Sequence, residues 1–201
     1  MKINKAKISN LDIYNSTLSL DESVYGYLIS NCNLNCSGIE KFDGCQFENV
    51  IFSNFEDLEI IDCIFDKCEI INGSLQANSI RNEFYNCKII GLDALSLKIE
   101  DLYFANCKLD YLNFSSSKIT NMYFKECSIG NLYLNYISFK VIELENSKLQ
   151  LLEIAEVPLK NLDISSSQIN SFRLLANDLS GLKCSLDQSL DLLKYLGVVI
   201  K

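Results

Sequence analysis

Histidine and tryptophan are absent from the 201 residues, and proline occurs once. Without histidine the chain lacks the commonest general base and the commonest nitrogen ligand of zinc. A single proline and no low-complexity tract leave no candidate linker, so one folded domain is expected. No run of about 18 apolar residues is available to cross a bilayer. The N-terminal MKINKAKISNLDIYNST has no apolar stretch of the signal-peptide kind, so a cytoplasmic location is expected. No Gly-rich phosphate loop and no carboxylate–histidine cluster is visible. Acid pairs such as Glu56/Asp57 and Glu100/Asp101 read as solvated charges. The expectation is a protein that is not an enzyme and that uses no cofactor and no metal.

Cysteine, in contrast, is plentiful. There are nine, but the number is odd and no C-x-x-C occurs, which speaks against a disulfide framework or a zinc site. Cys87, Cys107 and Cys127 are spaced by 20, and a buried cysteine behaves as a small apolar residue. The net charge of −8 argues against direct binding of nucleic acid or anionic lipid. Its distribution is uneven. Residues 40–69 hold nine acids against Lys41 and Lys67, whereas 70–201 hold fourteen acids and thirteen bases.

The apolar rhythm is neither the two of a strand nor the 3.6 of a helix. In FANCKLDYLNFSSSKI, Phe104, Leu109, Phe114 and Ile119 recur every five, each preceded two residues earlier by a partner. From Phe84 to Cys184 this position holds without interruption, and 19 of 21 occupants are Leu, Ile or Phe. Shorter runs lie upstream, among them Ala6/Ile8, Leu11/Ile13, Cys32/Leu34, Cys45/Phe47 and Cys63/Phe65. The phase slips between them, near 19–28, 40–44, 52–55 and 78–84, each read as an insertion or deletion, hence a loop or a distorted corner, with irregular loops expected near 19–28, 40–44 and 78–84. EKFDG at 40–44 looks like an insertion ending in a turn glycine.

A period of 20 lies on top of the period of five. The segments YNCKI, ANCKL, KECSI, ENSKL and SSSQI begin at 85, 105, 125, 145 and 165, and their partner column is small: Cys87, Cys107, Cys127, Ser147 and Ser167. A chain that turns a corner every five residues closes a four-sided coil every twenty. Phe104, Leu109, Phe114 and Phe124 point inward, and like residues stack at strand spacing, about 4.8 Å. About nine such coils would make a rod of about 43 Å.

Over about 6–184, and most specifically 84–184, this pattern resembles the pentapeptide-repeat proteins, which form right-handed quadrilateral β-helices. The resemblance implies that all-β fold for 1–184. That family prefers a small partner residue, whereas here 12 of the 21 are Leu, Ile, Met or Phe, so a widened or irregular coil is an expectation too. A competing fold is a short leucine-rich-repeat solenoid, since IEDLYFANCKL and ITNMYFKECSI fit its consensus at the short end of its repeat lengths.

The five-residue rule stops at Cys184. In SLDQSLDLLKYLGVVIK, Ser185 is a helix cap and the leucines give a helical stripe ending at Gly197. Val198, Val199 and Ile200 read as a short strand. Residues 185–201 are expected to cap the stack or to form a homodimer seam through Leu190, Leu193, Leu196, Val198, Val199 and Ile200. The segment 181–200 is similar to the tail of the quinolone-resistance and microcin-immunity branch of that family. Its members bind bacterial type II topoisomerases (DNA gyrase or topoisomerase IV) and dimerise through the tail helix. The resemblance implies a DNA mimic that protects such an enzyme from quinolones or peptide toxins. The contact surface would be the acidic window: Asp43, Glu48, Glu56, Asp57, Glu59, Asp62, Asp66 and Glu69. The alternative is a solenoid scaffold for some other protein.

Overall fold

The computed structural model describes residues 3–8, 12–13, 22–175, 179–195 and 197–199. Among them, the strands pair in parallel with strands one turn away and form one continuous sheet. Strand Lys98–Ala105 lies between Glu69–Tyr85 and Lys118–Lys125, with Phe104 beside Phe84 and Phe124. Stacking on all four sides, with a corner every five residues, excludes the leucine-rich alternative. The fold is a quadrilateral parallel β-helix. Ile29, Phe47, Phe65, Phe84, Phe104, Phe124, Leu144 and Ile164 stack in one column and mark about eight turns.

The backbone shows how most corners are made. Two residues after most inward residues, φ becomes positive. From Arg81 to Ser116 this happens every fifth position: Arg81, Asn86, Gly91, Ser96, Asp101, Asn106, Tyr111 and Ser116. A single left-handed residue turns the chain, and the next pair of side chains enters the core. Asn, Asp and Gly suit that conformation, whereas most other L-residues are strained in it.

Inside, the column of rings sets the spacing of the coils. The centroids of Phe65 and Phe84, Phe84 and Phe104, and Phe104 and Phe124 are 4.5, 5.0 and 5.1 Å apart, with the planes nearly parallel. Cys87, Cys107, Cys127, Ser147 and Ser167 form the small column, and Leu109, Phe114 and Phe124 are buried with them. Small residues here do more than fill space. The Cys127 N–H donates to Ser147 Oγ at 3.1 Å and the Ser147 N–H to Ser167 Oγ at 2.9 Å. Ser167 Oγ in turn donates to Leu144 O at 2.8 Å. A hydroxyl or thiol from one coil thus bridges the N–H and C=O groups of the corner in the coil before it. On another side Ser117 does the same, accepting from Leu97 N–H and donating to Ala94 O. Leaving such a buried pair unbonded costs about 1–3 kcal/mol.

The turns are not of constant length. Lys98, Lys118 and Ser138 are in register at steps of 20. Glu69 pairs with Lys88, a step of 19, and Ser23, Lys41 and Glu59 follow at steps of 18. The path from Phe52 to Ile60 takes eight residues where its counterpart from Leu109 to Ile119 takes ten. The phase slips are therefore contractions of one side, with Phe55 filling the shortened corner. This corrects the loops expected near 19–28, 40–44 and 78–84. Lys41–Asp43 is a strand in register with Ser23–Tyr25 and Leu58–Ile61, and 78–84 lies inside strand Glu69–Tyr85. Residues 22–28 are mostly strand as well, while 19–21 lie outside the described residues. Where one turn length gives way to the other, Ser79 and Asn82 occupy the core. The Asn82 side chain accepts from Cys63 N–H and donates to Ile60 O. It stands in for ladder bonds that the changed register cannot make.

The C-terminal helix, Leu186–Tyr195, closes the last coil. Ser185 and Gln188 cap each other reciprocally. The buried Gln188 amide then donates to Ile164 O and Ser167 O, two carbonyls of the last turn. Leu192 is the helix residue buried in the core. The strand expected over 198–200 is not formed at Val198 or Val199, and Ile200 lies outside the described residues.

The corner rule makes a prediction at Tyr136. This residue has φ +56° and is 65% exposed, so its side chain contributes little packing to set against the strain. Tyr136→Asn should stabilise the protein by up to about 1 kcal/mol, read as a shift in the urea midpoint. A loss of stability would show that the corner is not strained.

Candidate functional site

The contraction of the N-terminal turns leaves a concavity on one side of the rod, with a volume of about 490 Å³. Glu22, Glu40, Glu56, Asp57 and Glu59 line it, with Lys41 as the one basic residue. The 18-residue register brings the first two together, since Glu40 N–H donates to Glu22 O. Lys41 pairs with Asp43 at 3.1 Å and Glu59 at 3.5 Å. Among the described residues, Glu22, Glu40 and Glu56 make no ion pair. Asp57 sits at a corner with φ +54°, donates its N–H to Ser74 Oγ at 2.8 Å and accepts from that hydroxyl at Oδ1 at 3.1 Å.

The acids singled out from sequence therefore do not form one surface. Glu56, Asp57 and Glu59 border the concavity. Glu48 and Asp66 are register partners on another side, and Glu69 lies opposite Ile51 on the next. Two of these are ion-paired, Asp66 with Lys67 at 3.8 Å and Glu69 with Lys88 at 2.8 Å. Asp62 is a correction. It is 7% exposed, bonded to Arg81 at 2.6 Å through Nε and to the Lys7 N–H at 2.8 Å, and so is not open to a partner. Glu40, from the acid-rich window 40–69, belongs to the acidic rim, and so does Glu22, which only the 18-residue spacing reveals.

A second feature has no counterpart in the sequence reading. Residues 3–8 form no strand side of a coil, although Ala6 and Ile8 fit the five-residue rule. They lie as a strap across the outer face of Glu69–Tyr85, Lys98–Ala105 and Lys118–Lys125. Asn4 donates to Asp101 Oδ2 at 2.7 Å, and the Ala6 N–H donates to Glu83 Oε1 at 2.8 Å. The Lys5 ammonium donates to Glu83 Oε2 at 2.6 Å and to the Tyr85 hydroxyl at 2.9 Å. It also lies 4.7 Å from the centre of the Tyr103 ring. Ile3 packs against a small outer cluster of Tyr103, Ala105 and Tyr123. Beneath the strap Asp62, Glu83 and Asp101 are buried.

Burial alone would raise the pKa of Glu83, but hydrogen bonds from Lys5, Tyr85 and the Ala6 N–H outweigh it and hold the carboxyl below its ordinary value. Asp62 is held down in the same way, against burial, by Arg81 and the Lys7 N–H. A depressed folded pKa contributes stability above the unfolded value, and the contribution is lost as pH falls through the folded one. The strap's contribution should therefore be complete at pH 6, begin to fall only below the ordinary glutamate pKa of about 4.3, and go as pH passes the depressed folded value. Urea midpoints of wild type and Glu83→Gln should differ at pH 6, and the difference should shrink on acidification below that ordinary value. A constant difference would show that Glu83 is not ionised in the native strap.

At the other end, the tail leaves an apolar surface. Leu186, Leu190 and Leu193 are 78%, 41% and 36% exposed, beside Val198 and Val199. Leu196 and Ile200 fall outside the described side chains.

A family model described as a pentapeptide repeat region matches residues 77–154. No curated protein matches the chain. Solved structures similar to it include a trypsin-treated form of QnrB1, a plasmid-mediated fluoroquinolone resistance protein. That likeness has 16% identity over 96% of this chain and 98% of that one, with a TM-score of 0.39. Full-length QnrB1 is similar at 15% identity over 85% of this chain and 100% of that one, with a TM-score of 0.26. Residues 77–154 are thus a pentapeptide repeat region, and the five-residue core there is the one read from the sequence.

Proposed function

We propose that this chain is a non-enzymatic binding protein whose acidic concavity docks on the basic DNA-binding groove of a bacterial type II topoisomerase, gyrase or topoisomerase IV. By occupying that groove it would protect the enzyme from quinolones or peptide toxins. The observation that carries the reading is the concavity itself. Five carboxylates face one lysine on a stiff rod of eight turns, about 38 Å long at strand spacing. Spaced anionic groups on a rigid support are what lysines and arginines that hold DNA phosphate would accept. The resemblance of 181–200 to the topoisomerase-binding branch supplies the class of partner. The near-neutral charge of 70–201 confines the mimicry to the N-terminal third.

Binding of purified gyrase and topoisomerase IV by surface plasmon resonance tests the reading. Changing Glu22, Glu40, Glu56 and Glu59 to Gln and Asp57 to Asn keeps shape, and Asn tolerates the corner at 57. Affinity and association rate should fall together, the rate most at low salt. Changing Glu143, Glu145, Glu153 and Asp163 on the C-terminal half is the control and should matter less. Unaltered binding by the first set, or none by wild type, would favour the scaffold alternative.

The same reading includes a homodimer through the tail. The exposed Leu186, Leu190 and Leu193 are the surface available, since Leu192 and Gln188 are used in closing the coil. Sedimentation should show a dimer at micromolar concentration, and Leu190→Asp with Leu193→Asp should give a folded monomer because the charges would be buried at an apolar seam. A wild-type monomer would leave the tail as a cap alone.

A further inference from the structure

The strap poses a physical question of its own. An outward-facing glutamate on a β-helix is normally wet, yet Glu83 is 3% exposed, and Tyr103 and Tyr123 are buried beside it. These groups form a pocket for an ammonium ion: a carboxylate in salt-bridge contact, a tyrosine hydroxyl that also bonds that carboxylate, and a ring face for the cation. Flanking carboxylates at Asp62 and Asp101 accept from the Lys7 main chain and the Asn4 side chain. The surface is thus shaped for an extended segment with a central lysine and an apolar residue two before it. Lys5 and Ile3 fill those places.

The hold on this segment is unlike the hold on any strand. The strap is not a strand of the sheet, and its bonds to the rod pass through side chains. The Lys5 side chain is 57% exposed, so water reaches the ion pair from above. Local opening of such a segment does not require opening the core beneath it. The rod below stands on its ring column and its ladder bonds, to which residues 3–8 add nothing.

From this we infer that the face formed by Glu83, Tyr85 and Tyr103 is an exchangeable peptide-binding site, occupied in cis by Lys5 and able to receive a lysine-bearing extended segment of a partner protein. The cis segment acts as a competitor, because a partner peptide must displace it and its apparent affinity falls by the fraction of protein with the strap in place. This site is separate from the acidic concavity and does not depend on a topoisomerase partner.

The probe is a fluorescent synthetic peptide with the sequence of residues 3–8, Ile-Asn-Lys-Ala-Lys-Ile, followed by anisotropy with full-length protein. Lys5→Glu places a carboxylate against Glu83 and should eject the strap while the coil remains folded, as checked by circular dichroism. The peptide should bind Lys5→Glu at least about tenfold more tightly than wild type. Adding Glu83→Gln should abolish that gain, and acetylating the lysine that corresponds to Lys5 should abolish binding. Equal affinity for wild type and Lys5→Glu, or binding indifferent to Glu83→Gln or to acetylation, would overturn the inference. Hydrogen exchange on unaltered protein gives an independent reading. The Ala6 and Lys7 amides should exchange far faster than those of Lys98–Ala105. If they exchange only with the global unfolding rate, the strap is a fixed part of the fold and the site is not exchangeable.

Discussion

Everything in this molecule depends on a corner that recurs before the chain can run straight. One residue in the left-handed region, two positions after most inward residues, redirects the backbone. Because the turn returns every five residues, side chains of successive coils meet in columns, and the rings of Phe65, Phe84, Phe104 and Phe124 stack at the strand spacing. The cost of the corners is spread over many sites. Asn, Asp, Gly and Ser occupy most of them, and the hydroxyls and thiols of the small column bond the corner amides that the ladder leaves out.

This constraint also places the surfaces. Removing two residues from one side shortens a coil without breaking the stack, and the missing material becomes the acidic concavity. The ends need different solutions. At the C-terminal end Gln188 donates to two carbonyls of the last turn, and Leu192 covers the core. Along the flank the strap turns outward-facing acids into buried ones. Charge is therefore presented where the coil is short and withdrawn where the strap lies.

The regular part of the fold was legible because its signal is local and repeated: from Phe84 to Cys184 the inward residue never leaves its phase. The N-terminal slips were visible, but their sign was not. A change of phase near 52–55 is compatible with residues gained or lost, and only the pairing of Ser23, Lys41 and Glu59 shows a loss. The acidic site was half legible. Glu56, Asp57 and Glu59 stand out by composition, whereas Glu22 joins them only through an 18-residue register, and Asp62 leaves them because Lys7, 55 positions away, covers it. The strap gave no local sign at all. Ala6 and Ile8 obey the five-residue rule, and what removes them from the coil is the distant pairing of Lys5 with Glu83.

The claim that most of the functional account stands on is that the acidic concavity competes for a surface built to hold DNA. Displacement of a fluorescent DNA duplex from gyrase by this protein, titrated at several salt concentrations, measures that competition directly. The account predicts full displacement, with competition weakening as salt rises because exposed charges are screened over about 8–10 Å near physiological ionic strength. Simultaneous binding of protein and DNA to the same enzyme would contradict it.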